Sequence, residues 1–171
     1  MTERANTLLV VEDDPGLQSQ LRWSFEGLEV TVAADRTSAL AQIERAPPAV
    51  VTLDLGLPPD PGGVTEGFAT LQAILAAVPD TKVIVVTGHN DRSNAVRAIG
   101  LGAYDFFEKP VDPKLLNLAV ERAARLFALE EENRRLSQRH ADSPLEGLIA
   151  ASPEMLKVCR TIEKLAPTDV S

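Results

Sequence analysis

Acidic, hydroxyl and basic side chains follow four short apolar runs of this sequence. The acidic triplet Glu12-Asp13-Asp14 comes after LLVV, Asp54 after VVTL, Thr87-Gly88 after VIVV and Lys109 after DFFE. Carboxylates that crowd together raise each other's pKa unless a cation lies among them. Mg²⁺ prefers oxygen ligands, so two or three carboxylates, a backbone carbonyl and a phosphate oxygen would suit it. The set therefore predicts phosphoryl-transfer chemistry assisted by magnesium.

Asp54 is the predicted nucleophile, because a carboxylate can attack phosphorus and form an aspartyl phosphate when a metal ion offsets the negative charges. Phosphoryl transfer has a loose, in-line transition state, so the protein mainly positions groups and stabilises charge on the equatorial oxygens. Lys109 would supply that charge, Thr87 a hydroxyl donor, and Gly88 room for the phosphoryl group. Taken singly, Lys109 could be a solvated loop lysine and Thr87 a strand-end residue, so the joint pattern carries the prediction.

The elements that must position these residues alternate between short β-branched runs and amphipathic stretches. This pattern is typical of a buried parallel sheet covered by helices, which binds ligands outside the carboxyl ends of its strands. The predicted strands are 8–11, 29–33, 49–53, 82–86 and 104–107. The predicted helices begin at Asp14-Pro15 and end near 26, span 37–45 and 66–78, run from Asn90 or Asp91 to Gly100 or Gly102, and begin again near Pro113.

The composition sets the class of protein. The chain has 171 residues, 44% hydrophobic and 25% charged, which predicts one globular domain with an appendage. A formal net charge of −8 argues against binding to nucleic acid or an anionic membrane. The single cysteine, Cys159, cannot form an internal disulfide, no apolar run approaches a membrane span, and the N-terminus has no secretory core, so we expect a cytoplasmic protein.

Four segments resemble the marker segments of response-regulator receiver domains: LLVVEDD, VVTLDLGLP, VIVVTG and GAYDFFEKP, in this order. The resemblance covers roughly residues 6 to 125. It implies an α/β, flavodoxin-like (βα)5 doubly wound parallel sheet of strand order 2-1-3-4-5, with a receiver domain at 1–122 and a C-terminal helical extension. It also implies a regulatory module rather than an enzyme, one that binds Mg²⁺ and accepts its phosphoryl group from a histidine kinase.

The resemblance assigns a role to each site residue. The acidic pair would be Glu12 and Asp13, with Asp13 the direct metal ligand and Glu12 acting through water; the phospho-acceptor Asp54 and the backbone carbonyl of Gly56 would complete the metal site, and Thr87 and Lys109 would contact the phosphoryl group. Alignment by the second acid would use Asp13 and Asp14 instead. The first pairing is favoured because Asp14-Pro15 also suits a helix N-cap followed by proline.

A conformational switch is a further implication of the resemblance. Receivers commonly couple the threonine to a tyrosine or phenylalanine, here Thr87 and Phe106. Phe106 keeps the packing but has no hydroxyl. Its turning inward would shift the face formed by helix four and strand five from one arrangement to another. His89 is interpreted first as a solvated loop histidine and second as a modulator of the phosphoryl group.

The segment from Gly56 to Glu66 is a few residues longer than the corresponding turn of most receivers. Its proline content indicates a stiff loop. A tolerated surface insertion is the first interpretation, and a lid or partner contact beside Asp54 is the second. Together with LRWSF at 21–25, the loop is similar to response regulators of bacterial PEP-CTERM systems.

Residues 123–142 are predicted to form a helical dimerisation linker. Leucines and one asparagine recur at spacings of three and four, which fits a short parallel coiled coil and predicts a homodimer; they are Leu126, Leu129, Asn133 and Leu136. The charged run EEENRR fits a solvated helical linker equally well.

Residues 143–171 resemble the opening of the AAA+ ATPase module of NtrC-type, sigma-54-dependent activators. No GxxxxGK[ST] occurs before Ser171, so the sequence predicts no nucleotide binding through that motif. The resemblance implies a parent protein that contacts sigma-54 RNA polymerase and DNA through domains absent here.

Two alternatives to a phosphorylated receiver remain. A haloacid-dehalogenase-like phosphatase also uses an aspartyl nucleophile and magnesium, but it needs an aspartate two residues later, where this sequence has Gly56. A pseudo-receiver would bind partners without phosphorylation. The complete set of acids, threonine and lysine argues against it.

Overall fold

The computed structural model describes residues 3–88 and 92–142. In these ranges a 3-10 helix, Glu3–Asn6, precedes strands β1 Thr7–Val11, β2 Glu29–Ala33, β3 Val50–Leu53, β4 Lys82–Thr87 and β5 Asp105–Glu108. The helices are α1 Pro15–Ser24, α2 Arg36–Arg45, α3 Thr65–Ala77, α4 Arg92–Gly100 and α5 Pro113–Asp142. All strand pairs are parallel, in the order β2-β1-β3-β4-β5. The predicted flavodoxin-like fold is confirmed.

The sheet is buried on both faces because successive strand residues point to opposite sides. On one side, Val11, Leu53 and Val85 belong to a core that α2, α3 and α4 complete. On the other, Val10 and Ile84 belong to a second core with the inner face of α5. This double burial explains why the central strands read as nearly continuous apolar runs.

The predicted N-cap of α1 is present. The Asp14 carboxylate accepts hydrogen bonds from the backbone N–H groups of Gly16 and Leu17, at 2.7 and 3.2 Å. The helix ends at Ser24, earlier than the predicted 26, because Phe25 leaves the helical conformation and is buried in the core. Gly27 then adopts a φ of 79°, which glycine tolerates best.

Strand β5 is shifted by one residue from its predicted position. Tyr104 donates its N–H to the Val83 carbonyl before the strand begins, and the ladder extends to a pairing of Glu108 with Thr87.

Some predictions fall on residues outside the described ranges. These are the predicted caps of the fourth helix, Asn90 and Asp91, the loop residue His89, and the whole of 143–171, which includes Cys159.

Asp35 caps α2 through a capping box with Ser38. Its carboxylate accepts the Ser38 N–H at 2.7 Å, and this bond, followed by that of the Ser38 hydroxyl, holds the pKa of Asp35 below its ordinary value of 3.8. A lowered pKa contributes stability above the unfolded-state value, and the contribution disappears as pH falls through the folded-state value. We expect Asp35→Ala to cost about 1 kcal/mol at neutral pH and less below pH ~4. Urea unfolding at both pH values measures this, and a pH-independent cost would contradict the assignment.

Helix α5 contributes its inner face to the core well past its first turns. Ala123, Ala124 and Phe127 are buried there, and the division of the chain into two compact units falls after Leu129, later than the predicted domain end at 122. The described part of the second unit, residues 130–142, is entirely helical. None of the helices in 3–88 and 92–142 has the length and apolarity of a membrane-spanning segment.

Candidate functional site

Backbone hydrogen bonds one residue beyond the strands place three site residues at the same edge of the sheet. The N–H of Glu12 donates to the Ala33 carbonyl at 2.9 Å, and that of Asp54 to the Val11 carbonyl at 3.0 Å. Lys109 donates its N–H to the Thr87 carbonyl at 3.0 Å. The predicted convergence at the carboxyl ends of the strands is therefore present.

Three carboxylates form a cluster at this edge. One oxygen from each of Glu12, Asp13 and Asp54 lies within 4.8 Å of the others. Glu12 is buried, and Asp54 is 9% exposed. Three convergent carboxylate oxygens are hard donors that suit Mg²⁺, so the residues present fit the predicted ion. Asp14 caps α1 and is outside this cluster, which favours the pairing of Glu12 with Asp13.

Lys109 joins two members of the cluster. Its Nζ donates to Glu12 Oε2 at 2.6 Å and to Asp54 Oδ2 at 3.0 Å. The other oxygen of Asp54 accepts the Gly56 N–H at 3.0 Å, so both Asp54 oxygens have defined positions. Gly56, where a haloacid-dehalogenase-like enzyme needs its second aspartate, thus orients Asp54 through its backbone. The role of its carbonyl as a metal ligand stays a prediction.

The charges in this cluster shift two pKa values. Burial raises the pKa of Glu12; the hydrogen bond from Lys109 opposes this, and the negative charge of Asp54 adds to it. Burial alone would lower the pKa of Lys109, but its hydrogen bond to Glu12 and the charge of Asp54 outweigh burial and raise it. Lys109 is therefore a cation at neutral pH, positioned beside Asp54.

We expect Lys109→Gln to slow phosphorylation of Asp54 by about 100-fold, because it removes the cation that would stabilise charge on the transferred group. Intact mass at timed intervals with acetyl phosphate and Mg²⁺ measures the rate. Lys114→Gln, which changes an exposed lysine of α5, is the matched control and should react at the wild-type rate. Equal rates for the two variants would show that Lys109 has no part in the transfer.

The predicted switch residues lie on the same face of the sheet. Thr87 is fully buried at the end of β4. Phe106 is paired with Val85, two residues before Thr87, and packs partly buried against the α2–α4 side of the core. This arrangement fits the predicted coupling, but the switch itself stays a prediction.

A cavity of about 320 Å³ opens over the carboxylates. It is lined by Glu12, Asp13, Asp14, Leu17, Asp54, Gly56, Pro61, Gly88 and Lys109. Leu17 and Pro61 were missed at the sequence level. Leu17 lies in the first turn of α1, which Asp14 begins, so its spacing could have indicated it; the position of Pro61 depends on how the long loop folds.

A parallel α/β sheet with carboxylates and a lysine gathered at its carboxyl edge is the arrangement of the receiver class of signalling domain. The family profile described as response regulator receiver domain matches residues 8–121, and the chain belongs to this family.

Several known proteins are similar to this chain. It is 36% identical over 170 residues to the C4-dicarboxylate transport transcriptional regulatory protein DctD of Rhizobium meliloti (strain 1021), covering 97% of this chain and 36% of DctD. The crystal structure of Brucella abortus NtrX in complex with ADP matches with a TM-score of 0.70 and 34% identity, over 94% of this chain and 35% of NtrX. A CheY-like receiver from Methanospirillum hungatei JF-1 matches with a TM-score of 0.67 and 28% identity, over 73% of this chain and 98% of that one. The chain thus spans about a third of the length of DctD and NtrX.

Proposed function

We propose that this domain accepts a phosphoryl group on Asp54 from a histidine kinase and acts as a phosphorylation-dependent switch. The observation that carries the proposal is the Lys109 ammonium group, which binds Asp54 and Glu12 at the edge of a three-carboxylate cluster. A phospho-acceptor needs a fixed carboxylate, a cation beside it and a metal site. The described residues supply the first two, and the carboxylate cluster fits the third.

In the proposed transfer, a bond forms between an Asp54 oxygen and phosphorus while the bond from phosphorus to the donor breaks. The Gly56 N–H holds one Asp54 oxygen, which limits rotation of the carboxylate. Lys109, already hydrogen-bonded to Asp54, is positioned to bind an equatorial oxygen of the transferred group. Glu12, Asp13 and Asp54 would hold Mg²⁺, which would supply the remaining charge neutralisation. Thr87 would donate its hydroxyl.

We propose that the phosphoryl group draws Thr87 inward and that Phe106 turns into the vacated space, which changes the face formed by α4 and β5. The place of Phe106 on the same face of the sheet as Thr87, and the partial burial of Phe106, support this. Addition of beryllofluoride and Mg²⁺ should change NMR shifts of α4 and β5. Shifts confined to the carboxylate cluster would exclude this route.

The output that we propose is assembly of a larger sigma-54-dependent transcription activator of the NtrC type. The likeness to DctD and NtrX over nearly the whole chain supports this, as does the resemblance of 143–171 to the start of an AAA+ module. Cytoplasmic location, contact with sigma-54 RNA polymerase and DNA through other domains, and membership of the PEP-CTERM subgroup are parts of the same proposal.

Residues 123–142 are proposed as the dimerisation linker, and its first residues Ala123, Ala124 and Phe127 also belong to the domain core. The leucines at 126, 129 and 136 are 37%, 63% and 46% exposed, and Asn133 is exposed between them, so this face is available to a second copy. Sedimentation over a range of dilutions tests it. A monomer at every concentration, with and without a phosphate analogue, would exclude the coiled coil.

Incubation with acetyl phosphate and Mg²⁺ tests the central proposal. Intact mass spectrometry should show the gain of one phosphoryl group per chain, and chelation of the metal should prevent it. A protein that gains no mass, or gains it equally without metal, would rule out this function.

A further inference from the structure

Gln18, an early residue of α1, binds the turn between β1 and α1 on both sides of Asp13. Its side-chain amide donates from Nε2 to the carbonyl of Glu12, and its backbone N–H donates to the carbonyl of Asp14 at 2.9 Å. Gln18 is half-buried, so its amide is partly shielded from water. One residue therefore fixes both ends of a short turn that has Asp13 at its centre.

The Asp13 carboxylate depends on this turn more than the other two acids of the cluster do. Both carboxylate oxygens of Glu12 and both of Asp54 accept hydrogen bonds. Within residues 3–88 and 92–142, no hydrogen bond holds the carboxylate of Asp13. One of its oxygens nonetheless lies within 4.8 Å of those of Glu12 and Asp54. The direction of the Asp13 side chain therefore follows from the backbone that carries it.

The planarity of the peptide bond transmits the Gln18 contact to Asp13. The Glu12 carbonyl and the Asp13 N–H belong to one rigid peptide group, so a hydrogen bond to that oxygen limits rotation of the whole plane. The Cα of Asp13 is attached to this plane, and rotation of the plane would swing the Asp13 side chain. Loss of the amide would also take a hydrogen-bond donor from the Glu12 carbonyl, which favours another orientation of the peptide group.

We propose that Gln18 is a positioning residue for the magnesium site, because its amide holds the peptide group that points the Asp13 carboxylate towards the other two acids. This role rests on the part of the proposed function in which Glu12, Asp13 and Asp54 hold Mg²⁺. Mg²⁺ demands a strict octahedral geometry, so a carboxylate that swings away weakens its binding. Groups that orient metal ligands typically contribute roughly 10- to 100-fold in metal affinity.

Two variants of the full 171-residue chain test the inference, and a third is the control. Gln18→Met keeps the length of the side chain and removes the amide, whereas Gln18→Asn keeps the amide and shortens its reach by one methylene. Gln20→Met makes the first change at an exposed glutamine of the same helix that does not line the cavity over the carboxylates. Mg²⁺ is titrated into each protein while the Asp13 amide signal is followed by NMR, and urea unfolding without metal measures the stability of each.

We expect the dissociation constant for Mg²⁺ to rise about tenfold in Gln18→Met and at least about threefold in Gln18→Asn, and to stay within about twofold of wild type in Gln20→Met. With acetyl phosphate, the Mg²⁺ concentration that gives half the maximal phosphorylation rate should rise in the same order, whereas the rate at saturating Mg²⁺ should stay within about threefold. A role in stability alone would lower the resistance to urea and leave the dissociation constant of the folded protein unchanged.

Equal dissociation constants for wild type and Gln18→Met, or an equal rise in Gln20→Met, would overturn the inference alone. A wild-type protein that binds Mg²⁺ but gains no phosphoryl group would overturn the proposed phosphorylation, while a raised dissociation constant in Gln18→Met would still support the inference. A wild-type protein that binds no Mg²⁺ would overturn both.

Discussion

Replacement of Asp54 by asparagine is expected to abolish the phosphoryl mass gain with acetyl phosphate and Mg²⁺. The amide retains an oxygen that can accept the Gly56 N–H, but it lacks the negative charge that makes a carboxylate a nucleophile. It also removes one of the three oxygen donors of the acidic cluster. The change removes the ion pair with Lys109 but also the repulsion with Glu12, and Lys109 keeps its hydrogen bond to Glu12, so the variant should fold.

Intact mass and urea unfolding of Asp54→Asn measure these two expectations. Asp60→Asn makes the same change in the neighbouring loop, outside the carboxylate cluster, and should be phosphorylated like wild type. A full mass gain in Asp54→Asn would move the phospho-acceptor to another residue.

Truncation of Phe127 to alanine is expected to cost about 3–5 kcal/mol of unfolding free energy. The Phe127 side chain is fully buried in the core between the sheet and α5. The Arg4 guanidinium also lies over its ring, with Cζ 5.0 Å from the centroid. The substitution therefore leaves a large cavity and removes a cation–π contact.

Urea unfolding compares this variant with Leu118→Ala, nine positions earlier on the same helix, where the residue is 52% exposed. The control should change the free energy of unfolding by less than about 0.5 kcal/mol. A similar small effect for both variants would mean that α5 leaves the domain core before Phe127.

The fold was predictable because the apolar runs and the amphipathic stretches of the sequence both indicate the same alternation of strands and helices. The apolar runs ending at Val11, Leu53 and Val86 are central strands buried on both faces, so they were easy to recognise. Parallel strands bring their carboxyl ends to one edge, which placed Asp54, Glu12 and Lys109 together without knowledge of any contact.

The remaining features depend on tertiary packing. Nothing local to Pro61 shows that it borders the cavity, since its position follows from turns and buried leucines elsewhere in the loop. The sequence around α5 likewise does not indicate how far along this helix the domain core extends. Phe127 belongs to the core because of the sheet beneath it, whereas the helical periodicity around it continues unchanged to Asp142.

The collision that any side chain at Gly67 would make with the backbone of Leu55 has a consequence for how such domains diverge. Substitutions at position 67 should be purged by selection because Leu55 directly follows the proposed acceptor Asp54, whereas the exposed positions 58, 59 and 61 are free of this constraint. Related proteins can therefore vary the outer part of this loop while inheriting the same backbone geometry beside Asp54.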